Sequence, residues 1–307
     1  MNAGTKYFAP AIISNVGLET NAISYAVEKI GVELVFKVDK SLDNNTNVQF
    51  YGLKNRDLQQ GIVNAISSLN KHFPWKANLR NSISLDIYNK IPVGSGLAAL
   101  GTTIAGFLVA VNIYNKRPFE QRDLFDFAKS TLGAVLSEKT YNDIACSLIG
   151  GMVLGHNGSS IADYQRITMP QGFSSVICVN NTKKRALSVN TDDFTGVDYK
   201  INAAVQMALM LYKTNLDGFV AFCYRHFDIE KLSLLAFEKK FCKIAHNLDV
   251  RALFRPSLSS TGLVALAINS FKASELADGF NKLVPSSADS NAKAILLKHN
   301  LDGVYRF

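Results

Sequence analysis

The stretch Ile91-Pro-Val-Gly-Ser-Gly-Leu-Ala-Ala-Leu-Gly-Thr-Thr103 separates two segments of opposite periodicity. Before it, Ile83, Leu85 and Ile87 alternate with polar neighbours through Ser82–Ile91, the period of a half-buried strand. After it, the run from Ile104 up to Asn112 is Ala, Gly and large apolar residues, long enough for a buried helix. A strand, a glycine-bearing turn and a helix N-terminus make an anion site, because the first helical N–H groups are free and the macrodipole adds positive charge there. The same residues also read as a plain tight loop in which Gly94 and Gly96 only supply positive φ. Neither the dinucleotide-binding Gly-x-Gly-x-x-Gly nor the P-loop pattern fits, because the first spacing is broken and no Lys follows.

The chain of 307 residues is long enough for one large domain or two medium ones. Hydrophobic content of 48% against 19% charged is that of a folded protein rather than a disordered one. A net charge of +8 suits an anionic partner, yet no dense Lys/Arg run or basic-aromatic array argues for nucleic acid. Cys146, Cys178, Cys223 and Cys242 lie in apolar surroundings without C-x-x-C or His at metal spacing, so buried free thiols in a reducing compartment are expected. No signal-like N-terminus and no membrane-length apolar run is present, which places the expected protein in the cytoplasm, off the membrane.

Along the chain, strands are expected at Lys6–Ile13, Ile23–Val27, Gly31–Val38 and Asn47–Leu53, the last two joined by a turn through Lys40–Thr46. Asp57 is read as the cap of a helix with Leu58, Ile62, Ala65, Ile66 and Leu69 on its apolar face, and Pro118 as the start of another. Short strands follow at Gly150–Leu154, Gln165–Met169 and Ser174–Val179. Helices are expected at Ile201–Tyr212, Leu216–Tyr224, Ile229–His246 and Ala273–Leu283, with strands at Leu263–Ile268, Ala292–Leu297 and Gly303–Phe307. The class is α+β, with a strand-rich first half and a soft boundary between Met152 and Asn180.

Four stretches then resemble one family: Ala9-Pro-Ala with Ser14-Asn15-Val-Gly17; Pro92-Val-Gly-Ser-Gly-Leu97; Tyr141-Asn-Asp-Ile-Ala145 with Gly150-Gly-Met152; and Ser257-Leu-Ser-Ser before Leu263-Val-Ala-Leu266. Together they resemble homoserine kinase of the GHMP small-molecule kinase superfamily. The resemblance implies a strand-rich N-terminal domain over 1–160 and a ferredoxin-like C-terminal domain over 161–307. It also implies ATP and Mg²⁺ bound between them, phosphoryl transfer to the hydroxyl of homoserine, and a possible homodimer. It places the nucleotide at Pro92, Gly94, Ser95, Gly96, Leu97, Gly101, Thr102, Thr103 and Ser259, and the metal at Thr102. The substrate falls at Asn15, Asn142, Asp143 and Arg185, and the catalytic acid at Asp143 or Glu138.

The departures from the pattern fall where chemistry is expected. Pro-x-Gly-x-Gly-Leu-Gly-Ser-Ser-Ala is kept through Leu97 and then becomes Ala98, Ala99, Leu100 and Gly101. Sliding the register by three makes Leu100–Ala105 a second match, but the ungapped alignment keeps Pro92 and the helix end together. The metal-binding Glu falls on Leu132, His-x-Asp-Asn on Thr140–Asp143, and Ser-Gly-Ser-Gly-Pro-Thr on Ser257–Gly262; one expected substrate arginine falls near Lys231. Loss of one preorganised contact typically costs about 2.7–4 kcal/mol in the barrier. Two readings stand side by side: a homoserine-kinase-like protein impaired in catalysis, and an active small-molecule kinase using Thr102 or Thr103, Glu138 or Asp143, and Lys184 with Arg185. Plain structural roles compete with each: Arg185 in a solvated basic loop, Asp143 as a helix cap, Ser257–Ser260 as a turn, and no histidine as a base.

Overall fold

A computed structural model describes residues 4–14, 16, 22–38, 46–75, 82–92, 94–155, 160–168, 173–180, 210, 217–219, 221, 234–250, 252–256, 260–267, 269–284 and 291–307. The expected helices at Ile201–Tyr212 and Leu216–Tyr224, and the loop Lys40–Thr46 apart from its last residue, lie outside or almost outside these.

The first sheet contains β1 (Thr5–Ile13), β2 (Ile23–Val38), β3 (Thr46–Tyr51) and β4 (Ile83–Asn89). Its order is β11-β1-β2-β4-β3, with β11 the short Tyr305–Arg306 strand. Strands β3 and β4 run parallel, and α1 (Arg56–His72) supplies the crossover that parallel neighbours require. The cap of α1 is Asn55, whose side chain accepts from Leu58 N–H at 3.2 Å, not Asp57 in its first turn. The two strands expected at Ile23–Val27 and Gly31–Val38 are one: β2 continues through a bulge at Lys29, where φ is 63°, and its register against β1 shifts between Pro10 and Ala11.

Helix α2 (Ala99–Tyr114) lies across this sheet and is buried almost throughout from Gly101 to Asn112. It packs on β1, β2, α1 and α4 (Glu138–Ile149). Between them, α3 (Gln121–Leu132) begins three residues after Pro118, with Glu120 and Asp123 forming a capping box. Pro118 stays outside the helix because the Asn112 side chain grips the next residue: its Nδ2 donates to Phe119 O at 2.8 Å and its Oδ1 accepts from Phe119 N at 3.2 Å. Strands β5 (Met152–Leu154) and β6 (Gln165–Ile167) extend the first sheet from β2.

The second sheet holds β7 (Ser174–Asn180), β8 (Ala252–Phe254), β9 (Leu263–Ala267) and β10 (Ala292–Leu297) in the antiparallel order β10-β7-β9-β8. With α5 (Ala236–Asn247) and α6 (Ser270–Leu283) the described succession is β-α-β-β-α-β, the ferredoxin-like pattern. Alternation sends Val176 and Cys178 into one core with α5 and α6, and Ile177 and Val179 into the core of the first half. Burial pushes the Cys146 thiol up and the Cys242 thiol up to about 12, so neither is a reactive thiolate.

The sheets do not divide at residue 160. Strand β6 follows that point yet belongs to the first sheet, and so does the C-terminus. After β10 the chain crosses back: Asn300 N donates to Ala26 O at 2.9 Å, Gly151 N to Asn300 O at 2.6 Å and Val304 N to Ser147 O at 3.0 Å. Gly150 and Gly303 face each other at positive φ, and a Cβ on Gly303 would lie 2.5 Å from Leu148 O. Replacing Gly303 with Ala is expected to destabilise the protein by about 1–3 kcal/mol, read as a lower denaturation midpoint in urea.

His299 sits where the halves meet. Its Nε2 must carry the proton, since it faces Phe173 O at 2.8 Å, and its buried Nδ1 has no hydrogen-bond partner among the described residues. Burial lowers its pKa from 6.5. The unfolded chain therefore takes up the proton first as pH falls below 6.5, and stability present above that value is lost until the folded pKa is reached. His299→Gln keeps a donor for Phe173 O and is expected to flatten that loss, measured by denaturant unfolding between neutral pH and acid.

Candidate functional site

Strand β4 delivers the chain to Ile91 and Pro92, and a tight turn follows in which Ser95 N donates to Pro92 O at 3.2 Å. Gly94 and Gly96 take φ of 76° and 79°, which their lack of Cβ permits. Ser95 is buried, and its Oγ accepts from Leu97 N at 3.4 Å. Ala98 then adopts a left-handed conformation (φ 57°, ψ 41°) as the residue before α2, and no side chain caps the helix. For a residue with Cβ that conformation costs about 1–2 kcal/mol. The first N–H groups of α2 are thus left toward an opening with the positive end of the helix behind them.

That opening is a cavity of ≈ 240 Å³. Pro92, Gly94, Ser95, Gly96, Leu97, Ala98 and Ala99 form its floor. Leu53, Asn55 and Leu58, from the start of α1, form one wall with Asn89 and Ile91, and Ser260 closes the rear. Among the described residues the lining has no charged side chain. Asn89 spends Nδ2 on Ile91 O at 2.9 Å, and its buried Oδ1 has no hydrogen-bond partner among the described residues. The rear loop is bonded to the floor: Gly94 O accepts from Thr261 N at 2.8 Å and from Thr261 Oγ1 at 3.3 Å. A Cβ on Gly262 would stand 2.5 Å from Ser95 O, so this glycine permits the close approach.

The expected nucleotide residues Pro92, Gly94, Ser95, Gly96 and Leu97 therefore meet at one cavity, whereas Gly101, Thr102 and Thr103 do not line it. A Cβ on Gly101 would lie 2.7 Å from Asp143 Cβ, so this glycine lets α2 and α4 touch. Thr102, the expected metal ligand, is fully buried and its Oγ1 donates to Pro10 O at 3.1 Å. Thr103 Oγ1 donates to Ala99 O at 2.7 Å, one turn back along α2. Leu100 packs into the core rather than filling the cavity.

The expected acids and substrate residues are also in structural use. Asp143 Oδ1 accepts from Ser14 Oγ, and Oδ2 pairs with Lys139 Nζ at 2.8 Å, one turn earlier on α4. Asn142 Oδ1 accepts from Tyr164 Oη within the core. Glu138 is exposed in the first turn of α4 and pairs with Lys129 Nζ at 3.5 Å across to α3. Asn15, Arg185 and Ser259 lie outside the described residues. Among the described residues no group of three or more His, Cys, Asp or Glu side chains can hold a metal. The lining residues not marked as site residues in the sequence are Leu53, Asn55, Leu58 and Asn89; Ser260 lies in the Ser257–Gly262 stretch that the resemblance marked.

Ala98→Gly is expected to relieve the left-handed strain and raise stability by about 1 kcal/mol in thermal or urea denaturation, while leaving the cavity floor in place.

Comparison with known proteins agrees with this geometry. Residues 60–151 match the GHMP kinases N terminal domain. The homoserine kinase of Buchnera aphidicola subsp. Cinara cedri is 24% identical over 151 residues, which is 48% of this chain and 48% of that protein. The matched stretch spans about half the length of the curated relatives. The homoserine kinase structure from Cytophaga hutchinsonii superposes with a TM-score of 0.75 at 18% identity, over 100% of this chain and 98% of that one. Mevalonate diphosphate decarboxylase from Staphylococcus aureus gives 0.70 at 13% identity, over 99% and 98%. No helix of the described residues is long and apolar enough to cross a membrane. Residues 60–151 thus match a GHMP kinase N-terminal domain, and the chain is similar to homoserine kinases in sequence over about half its length and in fold over its whole length.

Proposed function

We propose that this protein keeps the ligand cavity of a homoserine-kinase-like GHMP protein and is impaired in phosphoryl transfer. The observation that carries the reading is Asp143: both of its carboxylate oxygens are engaged, by Ser14 and by Lys139, and no acid among the described residues lines the cavity. The hydroxyls of Thr102 and Thr103 are likewise bonded to backbone carbonyls. Phosphoryl transfer depends on positioning and on charge cover for the moving oxygens, and both need groups aimed at the cavity.

What the cavity offers is binding. An uncapped helix N-terminus attracts phosphate or carboxylate, and the neutral wall of Leu53, Leu58 and Ile91 suits an uncharged ring. A nucleotide combines both features. Mg²⁺ is implied by the family, but the described residues do not fit it, because Thr102 faces β1 and Asp143 is paired inside the protein. We therefore assign no step to a metal.

Titration calorimetry with Mg·ATP, followed by coupled ADP-release assays over L-homoserine and other amino alcohols, tests this. Saturable nucleotide binding with release at background is the expected outcome. Substrate-dependent release that disappears in Asp143→Asn would show an active kinase instead.

A further inference from the structure

The core of the second sheet and its helices contains a buried ion pair. Glu238, in the first turn of α5, is 0% exposed and Arg255, just after β8, is 3% exposed. Glu238 Oε2 accepts from Leu235 N at 2.7 Å, which fixes the carboxylate to the helix start. Arg255 meets it as a fork, with one terminal nitrogen 2.6 Å from Oε1 and the other 3.0 Å from Oε2. The nitrogen on Oε1 also donates to Ser260 O at 3.3 Å. Ser260 lines the rear of the cavity, and the next residue, Thr261, is the one bonded to Gly94 O.

A buried pair is a poor way to gain stability, because desolvation offsets the attraction and apolar residues of similar volume often do as well or better. What a guanidinium fork supplies is direction: it holds a carboxylate and a third acceptor in one plane, which an apolar pair or a Lys does not. The sequence shows why direction is needed here. The resemblance expects two loop glycines where Leu258 and Ser260 stand, so the loop shape has to be held from outside.

We propose that Glu238 and Arg255 are positioning residues for the cavity: the pair anchors Ser260–Gly262 against Gly94 and thereby sets the rear wall that a ligand meets. This rests on the reading of the cavity as a ligand site. Two variants test it: Glu238→Met with Arg255→Met, which keeps the volume, and Arg255→Lys, which keeps the charge without the fork. Each is followed by thermal denaturation, hydrogen exchange and calorimetric titration with Mg·ATP.

The expected result is near-normal melting of the double variant with faster exchange at 94–97 and 260–262 and unchanged exchange in β7. The Kd for Mg·ATP should rise about tenfold or more, as for a ligand group displaced by a fraction of an ångström to one ångström. If the double variant does not fold, Arg255→Lys carries the same two readouts. Folded variants with normal exchange at 94–97 overturn the proposal. Exchange that rises throughout the second sheet, or a Kd that does not move, overturns it as well. If the unaltered protein takes up no Mg·ATP, the reading of the cavity fails, while the exchange at 94–97 still decides whether the pair holds the loop.

Discussion

Helix α2 has no polar face, and a helix that is apolar on every side has to be covered on every side. Strands β1 and β2 cover one flank, α4 another and α1 a third. The close fit is set by glycines: Gly106 admits Leu34 and Ala9, and Gly101 admits Asp143 and the backbone of Thr140. The same burial dictates what the hydroxyls of α2 do. A hydroxyl in such a place costs free energy unless it is bonded, and Thr102 and Thr103 find their acceptors in Pro10 and Ala99. Only the first turn, where α2 leaves the core, opens to the cavity.

This burial and the proposed loss of catalysis are connected. A carboxylate or amide released from chemistry inside a packed fold is not left idle, since an unpaired buried polar group is destabilising. Asp143 bonds Ser14 and Lys139, tying the end of β1 to α4, and Asn142 bonds Tyr164. Each now joins segments far apart in sequence. The cavity itself is lined by neutral groups and backbone, which suits holding an anion more than moving charge within it. The fold alone does not decide the chemistry, for a kinase and a decarboxylase superpose on this chain almost equally well.

Much of this was legible in the sequence wherever one periodicity ran uninterrupted. The alternation of Ile83, Leu85 and Ile87 gave β4, and the apolar run after Ile104 gave α2. Reading failed where side chains acted at a distance. Pro118 looked like a helix start, but Asn112 fixes the backbone of Phe119 and the helix begins later. The break at Lys29 looked like a strand end, but it is a bulge inside one long strand. In the site, the glycine loop was readable because its requirement is local. The partners of Asp143 and Thr102 were not, because Ser14 and Pro10 are distant along the chain. Lys139 was a partial exception, since its spacing of four from Asp143 is a helix pair visible in the sequence.

The turn from Gly94 to Ala98 holds its geometry without a glycine at position 98. Ala98 stands where the resemblance expects glycine, yet it holds the left-handed conformation that glycine takes without strain. A strained residue of this kind persists only where its surroundings over-determine it. Here they do so from both halves: Ser95 is buried and bonded to Leu97, Gly94 is tied to Thr261, and Gly262 presses on Ser95 O. The loop shape therefore rests on the contacts between the halves as well as on Gly94 and Gly96 within it. A cavity held by these contacts does not draw on the hydroxyls of Thr102 and Thr103 or on the carboxylate of Asp143, which bond elsewhere in the protein.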